Sequence, residues 1–191
     1  MLKQIWPAFG MILILTVITG VDYPLAMTGI GKTLFPYQAG GSLIVKDGKV
    51  IGSELIAQSF ASPKYFHPRP SAAGNGYDAT NSSGTNFGPT SKKLVDRVKA
   101  DTAKLQAENP GTPVPADLVT TSVSGLDPDI SPAAPLFQVP RVAAARKLSV
   151  DTVRKLVDEQ VQGRILGVID EPHVNVLKLN MALAALQGTA S

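Results

Sequence analysis

The residues that could do chemistry in this chain are few and scattered. His67 and His173 are the only histidines, and cysteine is absent. Without cysteine there are no thiolate nucleophiles, disulfides or thiolate metal sites. Neither histidine belongs to an HxxxH or HxxE pair, so a zinc site would have to draw carboxylates from elsewhere. We expect no metal and take each histidine as a polar side chain satisfied by loop backbone. Ser83, His67 and Asp127 supply the types needed for nucleophile, base and orienter, yet no GxSxG elbow surrounds Ser83. Asp127-Pro128-Asp129 sets carboxylates around a turn, where Asp ordinarily accepts from local backbone N–H groups. GIGKT, Gly29 to Thr33, carries the end of a phosphate-loop pattern, but Ala26 stands where the first glycine belongs and no buried strand precedes it. That segment reads as a flexible linker.

His67 and Ser83 share the stretch Tyr65 to Pro89, YFHPRPSAAGNGYDATNSSGTNFGP, which contains no apolar run long enough for a strand or helix. Something else in the chain must position it. The chain has 191 residues, enough for one domain with a real core and one extra element. Its 18 basic and 15 acidic residues give a net charge of +3. In KKLVDRVKADTAK, Lys92 to Lys104, the signs alternate as on a solvated helix face, so no nucleic-acid partner is expected.

The extra element is N-terminal. No charge falls between Lys3 and Asp22, and IWPAFGMILILTVITGV, Ile5 to Val21, is apolar apart from two threonines. As a helix it covers roughly 26 Å, close to the ~30 Å hydrocarbon core. Trp6 and Tyr23 suit the two headgroup belts, and Pro7 falls in the first turn, where its missing N–H costs nothing. A cleaved signal peptide would end in a small-x-small pair; Ala26 is preceded two positions earlier by Pro24, so we expect an uncleaved anchor in contact with lipid. Lys3 and the α-amino group favour a cytoplasmic N-terminus, which places the following domain outside the cytoplasm. Thr16, Thr19 and Gly20 lie at i, i+3 and i+4, small-residue spacing that lets another membrane helix approach.

Expected organisation is an anchor over 1–25, an irregular linker over 26–41 and a soluble α+β domain over 42–191. Leu43-Ile44-Val45 and Val50-Ile51 flank Asp47-Gly48, a hairpin-turn dipeptide. Leu94, Val98, Thr102 and Leu105 recur at helical spacing until Asn109-Pro110-Gly111 stops them. Leu118 to Val123 reads as a strand. Ser131 is expected to cap a helix with Pro132 at its first position, which Pro140 interrupts or restarts. Ser149 caps another helix, with Val150, Val153, Val157 and Val161 on one face, and a last helix covers Val176 to Leu186. The fold class is thus α+β on a single N-terminal transmembrane helix, without βαβ alternation or repeats.

Several ordered blocks together resemble the C subunit of the bacterial Kdp potassium-transporting P-type ATPase. They are TGVDYPL (Thr19 to Leu25), GSLIVKDGKVIGSELIAQSF (Gly41 to Phe60), YFHPRPSA (Tyr65 to Ala72), TSVSGLDPDISPAA (Thr121 to Ala134), QVPRVAAAR (Gln138 to Arg146) and HVNVLKLNMAL (His173 to Leu183). SSGTNFGP, Ser82 to Pro89, departs from a more usual SGGSNLGP, and Asp129 stands where a histidine is frequent. The resemblance implies a non-catalytic accessory subunit of a high-affinity potassium uptake complex in the bacterial inner membrane, needed for assembly and stability. It implies as partners a potassium-conducting A subunit, an ATP-hydrolysing B subunit and a small F subunit, which handle potassium and ATP between them. The family is also described as raising the ATP affinity of the B subunit through a glutamine, for which Gln58 is the candidate. On this reading the quoted loop is a docking surface, with Phe66, His67, Arg69, Asn86 and Asp127 as candidate contacts. The competing class is a membrane-anchored extracytoplasmic hydrolase using Ser83, His67 and Asp127.

Overall fold

The computed structural model describes residues 2–188, which fall into two compact units that divide between Ser53 and Glu54.

In the first unit, a 30-residue helix of mean hydropathy 1.8 runs from Ile5 to Leu34, and none of its most apolar window is buried within the chain. At 1.5 Å per residue its length is about 45 Å, more than the ~30 Å hydrocarbon core needs. It comprises α1 (Ile5–Val17), a π-helical turn (Ile18–Asp22) and α2 (Tyr23–Leu34), followed by the short α3 (Pro36–Ala39). The irregular linker expected over 26–41 is therefore corrected: the backbone stays helical to Leu34. Pro24 lacks the N–H to continue an ordinary ladder, and the π turn just ahead of it re-phases that ladder without breaking the helix. Gly29 and Gly31 only weaken helix propensity, which is a weak determinant beside the demands of context. Thr28 and Thr33 turn their hydroxyls onto the carbonyls of Pro24 and Gly29, at 2.7 and 2.8 Å, hiding their polarity against the helix itself.

The unit ends in an antiparallel hairpin, β1 (Leu43–Lys46) and β2 (Lys49–Ser53), with Val45 opposite Val50. Asp47 and Gly48 adopt φ of 52° and 74°, the two positive values a tight two-residue turn requires. The hairpin forms where the dipeptide placed it.

The second unit holds the hydrophobic core. Its elements are α4 (Lys92–Glu108), β3 (Asp129–Ile130), α5 (Ala133–Arg146), α6 (Val150–Glu159), β4 (Val174–Asn175) and α7 (Val176–Gly188), with β3 and β4 paired antiparallel. Val139 and Val142 of α5, Val153 and Val157 of α6 and Leu179 and Leu183 of α7 are fully buried together. The four-residue and three-residue spacings place each pair on one helix face. Ser149 caps α6 as expected, its Oγ accepting from Thr152 N at 3.1 Å.

Three sequence expectations give way here. Leu118 to Val123 is no strand: residues 116–118 make a 3-10 turn, Leu118 and Val119 are buried and Val123 is 92 % exposed. The segment's N–H groups are taken locally, Leu118 and Val119 donating to the carbonyls of Pro115 and Ala116. Ser131 offers no side-chain cap to α5, because Pro132 occupies the cap position and leaves that N-terminus without a side-chain acceptor. Pro140 lies inside α5 without ending it. Proline cannot donate to Leu136 and crowds the preceding turn; in that turn Asn109 Nδ2 donates to the Phe137 carbonyl at 2.9 Å, so α4's terminus supports the proline turn of α5. The overall class remains as read, an apolar N-terminal helix and a small α+β region.

Candidate docking site

The loop from Phe60 to Pro89 has almost no secondary structure of its own, so its backbone polar groups need partners from elsewhere. Two buried amide side chains provide the central ones. Asn180 of α7 accepts from Phe66 N at 2.8 Å and donates to Phe66 O at 2.9 Å. Gln138 of α5 accepts from His67 N at 2.8 Å and donates to His67 O at 3.1 Å. Each amide thus does for one loop residue what a neighbouring strand would do, and consecutive residues are bound by two different helices. Both amides are 3 % exposed, and Phe66 between them is 0 % exposed within the core. This placement corrects the expectation of an exposed aromatic at Phe66: its ring anchors the loop from beneath, and its face is not available to a partner.

Arginines of α5 extend the clamp. Arg141 Nη1 donates to the carbonyls of Pro63 and Tyr65 at 2.7 and 3.1 Å, and Nη2 to Gln138 Oε1 at 2.7 Å. Its Nε lies 3.3 Å from Glu108 of α4. Arg146 Nε donates to Lys64 O at 2.7 Å while its guanidinium sits 4.9 Å above the Tyr65 ring. A charged, planar donor set suits this task, since one side chain can hold several carbonyls at fixed angles.

Farther along, Ser71 accepts from the N–H groups of Ala73 and Tyr77 and donates to Gly125 O at 2.6 Å. Tyr77 OH donates to Arg69 O at 2.8 Å. Gly125 has φ +69°, and a Cβ there would lie 2.7 Å from both Ala73 N and Ser83 O, so the two loop segments close on a position only glycine fits. Arg69 and Asp127 form a half-exposed ion pair of 2.9 Å, and Asp127 Oδ1 also accepts from Asp129 N at 3.1 Å. Asn86 is exposed with φ of 52°.

These contacts bear on the hydrolase alternative. Ser83 Oγ donates to Ala72 O at 2.7 Å, His67 Nε2 is 3.1 Å from Ser62 O, and Asp127 is paired with Arg69. Each candidate is engaged with a different partner, and no hydrogen bond joins serine to histidine or histidine to aspartate among the described residues. His173 Nδ1 likewise faces a backbone carbonyl, that of Glu171, at 2.9 Å. Gln58 is half-buried in the loop that leads from β2, while Gly29 to Thr33 lies in α2 and forms no phosphate-binding loop. In the first unit, Thr19 Oγ1 donates to Leu15 O at 2.6 Å, and a Cβ on Gly20 would meet only Thr16 Cγ2, at 4.0 Å. Thr16 and Gly20 remain neighbours even though the π turn begins between them.

Residues 5–185 match the sequence profile of the family described as KdpC, K+-transporting ATPase, c chain. The chain belongs to this family. Among its relatives is a potassium-transporting ATPase KdpC subunit of Rhodopseudomonas palustris strain BisB5, 61 % identical over 97 % of this chain and 98 % of that protein. Proteins of the same name from Bradyrhizobium diazoefficiens and Methylobacterium nodulans are 60 % and 56 % identical, over 96 % and 98 % of this chain and 97 % and 100 % of theirs. The chain is accordingly a potassium-transport accessory subunit, part of a multi-subunit ATPase, and its long apolar helix is consistent with a membrane anchor.

Gln138, Asn180 and Arg141 were not singled out from sequence. The available signal was a polar residue within the apolar spacing of QVPRVAAAR and VLKLNMAL, though nothing in that spacing names the loop residue each would bind.

Replacing Asn180 by leucine would leave the buried N–H and C=O of Phe66 without partners, at about 1–3 kcal/mol for each group. We expect the denaturation midpoint of the purified full chain in mild detergent to fall markedly, by an amount corresponding to roughly 2–6 kcal/mol. An unchanged midpoint would show that Asn180 does not hold the loop.

His67 also predicts a pH effect. Its ring faces a cavity of about 240 Å³ shared with Arg141, Glu108 and Lys104. Burial, then the Arg141 charge, holds its pKa below the usual 6.5, against a smaller opposing pull from Ser62 and Glu108. The unfolded chain therefore binds this proton more readily than the folded one, and stability is complete above pH 6.5 and declines as pH falls toward the lowered value. Melting temperature measured across that window should fall with acidity in the native chain, and the slope should flatten in His67→Gln.

Proposed function

We propose that this chain is a non-catalytic assembly subunit of an ATP-driven potassium uptake complex, and that its pinned loop is the surface on which partner subunits dock. The observation carrying the proposal is the double amide clamp on Phe66 and His67. A loop already ordered before association loses little further freedom on docking. His67, Arg69, Asn86 and Asp127 lie on or beside it and supply polar contacts, while Phe66 fixes the loop from below. The separate engagements of Ser83, His67 and Asp127 favour this reading over the hydrolase, whose nucleophile needs a base within hydrogen-bond reach.

The partners on this reading are the potassium-conducting A subunit, the ATP-hydrolysing B subunit and the small F subunit, in the inner membrane. Thr16, Thr19 and Gly20 form the helix face toward a partner helix. Lys3 on one side of an uncharged span orients the N-terminus to the cytoplasm and the second unit outside it. Any increase in the ATP affinity of the B subunit then travels through the membrane subunits, and Gln58 does not touch nucleotide. Potassium and ATP are handled by the partners.

Gly20→Leu retains enough hydrophobicity to span but inserts bulk where backbones approach. We expect the variant in the membrane fraction with at least a fivefold lower yield of co-purified pump subunits. In the same preparation, Ser83→Ala should assemble with turnover within a few-fold of native. Wild-type yield for Gly20→Leu reduces the helix to a tether, and a thousandfold loss of turnover in an assembled Ser83→Ala complex would restore the hydrolase. For topology, a Ser82→Cys variant should react with a membrane-impermeant thiol reagent in intact spheroplasts; reaction only after lysis reverses the orientation.

A further inference from the structure

A second loop spans residues 163–171. Ile165 N donates to Ile169 O at 2.8 Å and Ile169 N returns the bond to Ile165 O at 3.0 Å. At its base, Arg164 Nη2 lies 2.6 and 2.7 Å from the two carboxylate oxygens of Glu171. Between these staples the chain turns through Leu166 and Gly167 at φ of 53° and 76°, the first a strained value for a residue with a side chain. The result is a closed projection that holds Ile165, Leu166, Val168 and Ile169 in solvent, with exposures of 60, 88, 77 and 57 %. Scattered exposed aliphatics are ordinary, but four on one stapled turn form an apolar patch of the kind that marks an interaction site.

We infer that this prong inserts into an apolar socket, rimmed by basic or hydrogen-bond-donating groups, on another subunit of the potassium-transporting ATPase; the inference rests on the reading of the chain as a subunit of that complex. Charge selects this occupant. Arg164 is already matched by Glu171, and Asp170 adds a further negative charge, so the prong carries −1 and offers no uncommitted cation. An anionic bilayer surface attracts basic segments and repels this one. Two copies of the chain meeting prong to prong would set Asp170 and Glu171 against their equivalents, a like-charge contact that disfavours self-association. A basic-rimmed apolar socket complements both the tip and its charge.

The test uses the whole membrane-bound complex. With the photoreactive residue p-benzoylphenylalanine placed at Leu166, irradiation should yield an adduct containing another ATPase subunit. In parallel, Leu166→Asp should reduce co-purified subunits at least fivefold, while Lys93→Asp, on the exposed face of α4, should leave the yield unchanged. Leu166 is exposed enough for both changes to leave folding intact, which circular dichroism of the variants checks. An adduct with phospholipid alone, an adduct only with a second copy, no adduct, or wild-type yield for Leu166→Asp would each overturn the inference. If these fail while Gly20→Leu still loses its partners, the complex stands and the prong has no part in it. If the native chain brings down no ATPase subunit, both readings fall together.

Discussion

A loop that forms no ladder with itself must have its peptide groups bonded by something, and here two carboxamides do it. Asn180 and Gln138 each present a donor and an acceptor in one plane, matching the N–H and C=O of a single residue. Because one amide comes from α7 and the other from α5, the loop is held only when both helices are correctly packed. The core and the loop therefore support one another: Phe66 fills the core that positions the amides, and the amides remove the cost of burying Phe66's backbone.

Arginines complete the arrangement at its margins. Arg141 bridges loop carbonyls, Gln138 and Glu108, so one guanidinium couples α4, α5 and the loop. Arg69 and Asp127 sit nearer solvent, where an ion pair contributes little to stability. Neighbouring side chains thus differ in depth: the inner ones hold the loop, while Arg69 lies nearer solvent, bonded to Asp127 and Thr120.

The apolar helix follows a separate logic. The most apolar window of this long helix is not buried within the chain, which is consistent with a membrane anchor whose contacts would come from lipid or another subunit's helix. Threonines fold their hydroxyls back onto the backbone, and the π turn before Pro24 keeps the helix continuous where local rules would end it. Local propensity read this region as a linker because glycine and proline count against a helix one residue at a time. Helical hydrogen bonding satisfies the backbone of the whole segment at once, as an apolar environment would require.

By itself the amino-acid sequence determined the apolar N-terminal helix, the Asp47-Gly48 hairpin, the α4 and α7 helices and the Ser149 cap, and through its ordered blocks the family. Each depends on neighbours within a few residues, or on motif order, so it can be read along one line. Tertiary structure alone decided that Leu118 to Val123 would surrender strand pairing, that Pro140 would sit inside a helix supported by Asn109, and that Phe66 would point inward. It also decided that Ser83, His67 and Asp127 would each find a different partner. The physical reason is common to all of these. A buried polar group or ring takes whichever partner the packed helices bring to it, and Asn180 reaches Phe66 across 114 positions of chain, a separation at which no local pattern carries the pairing.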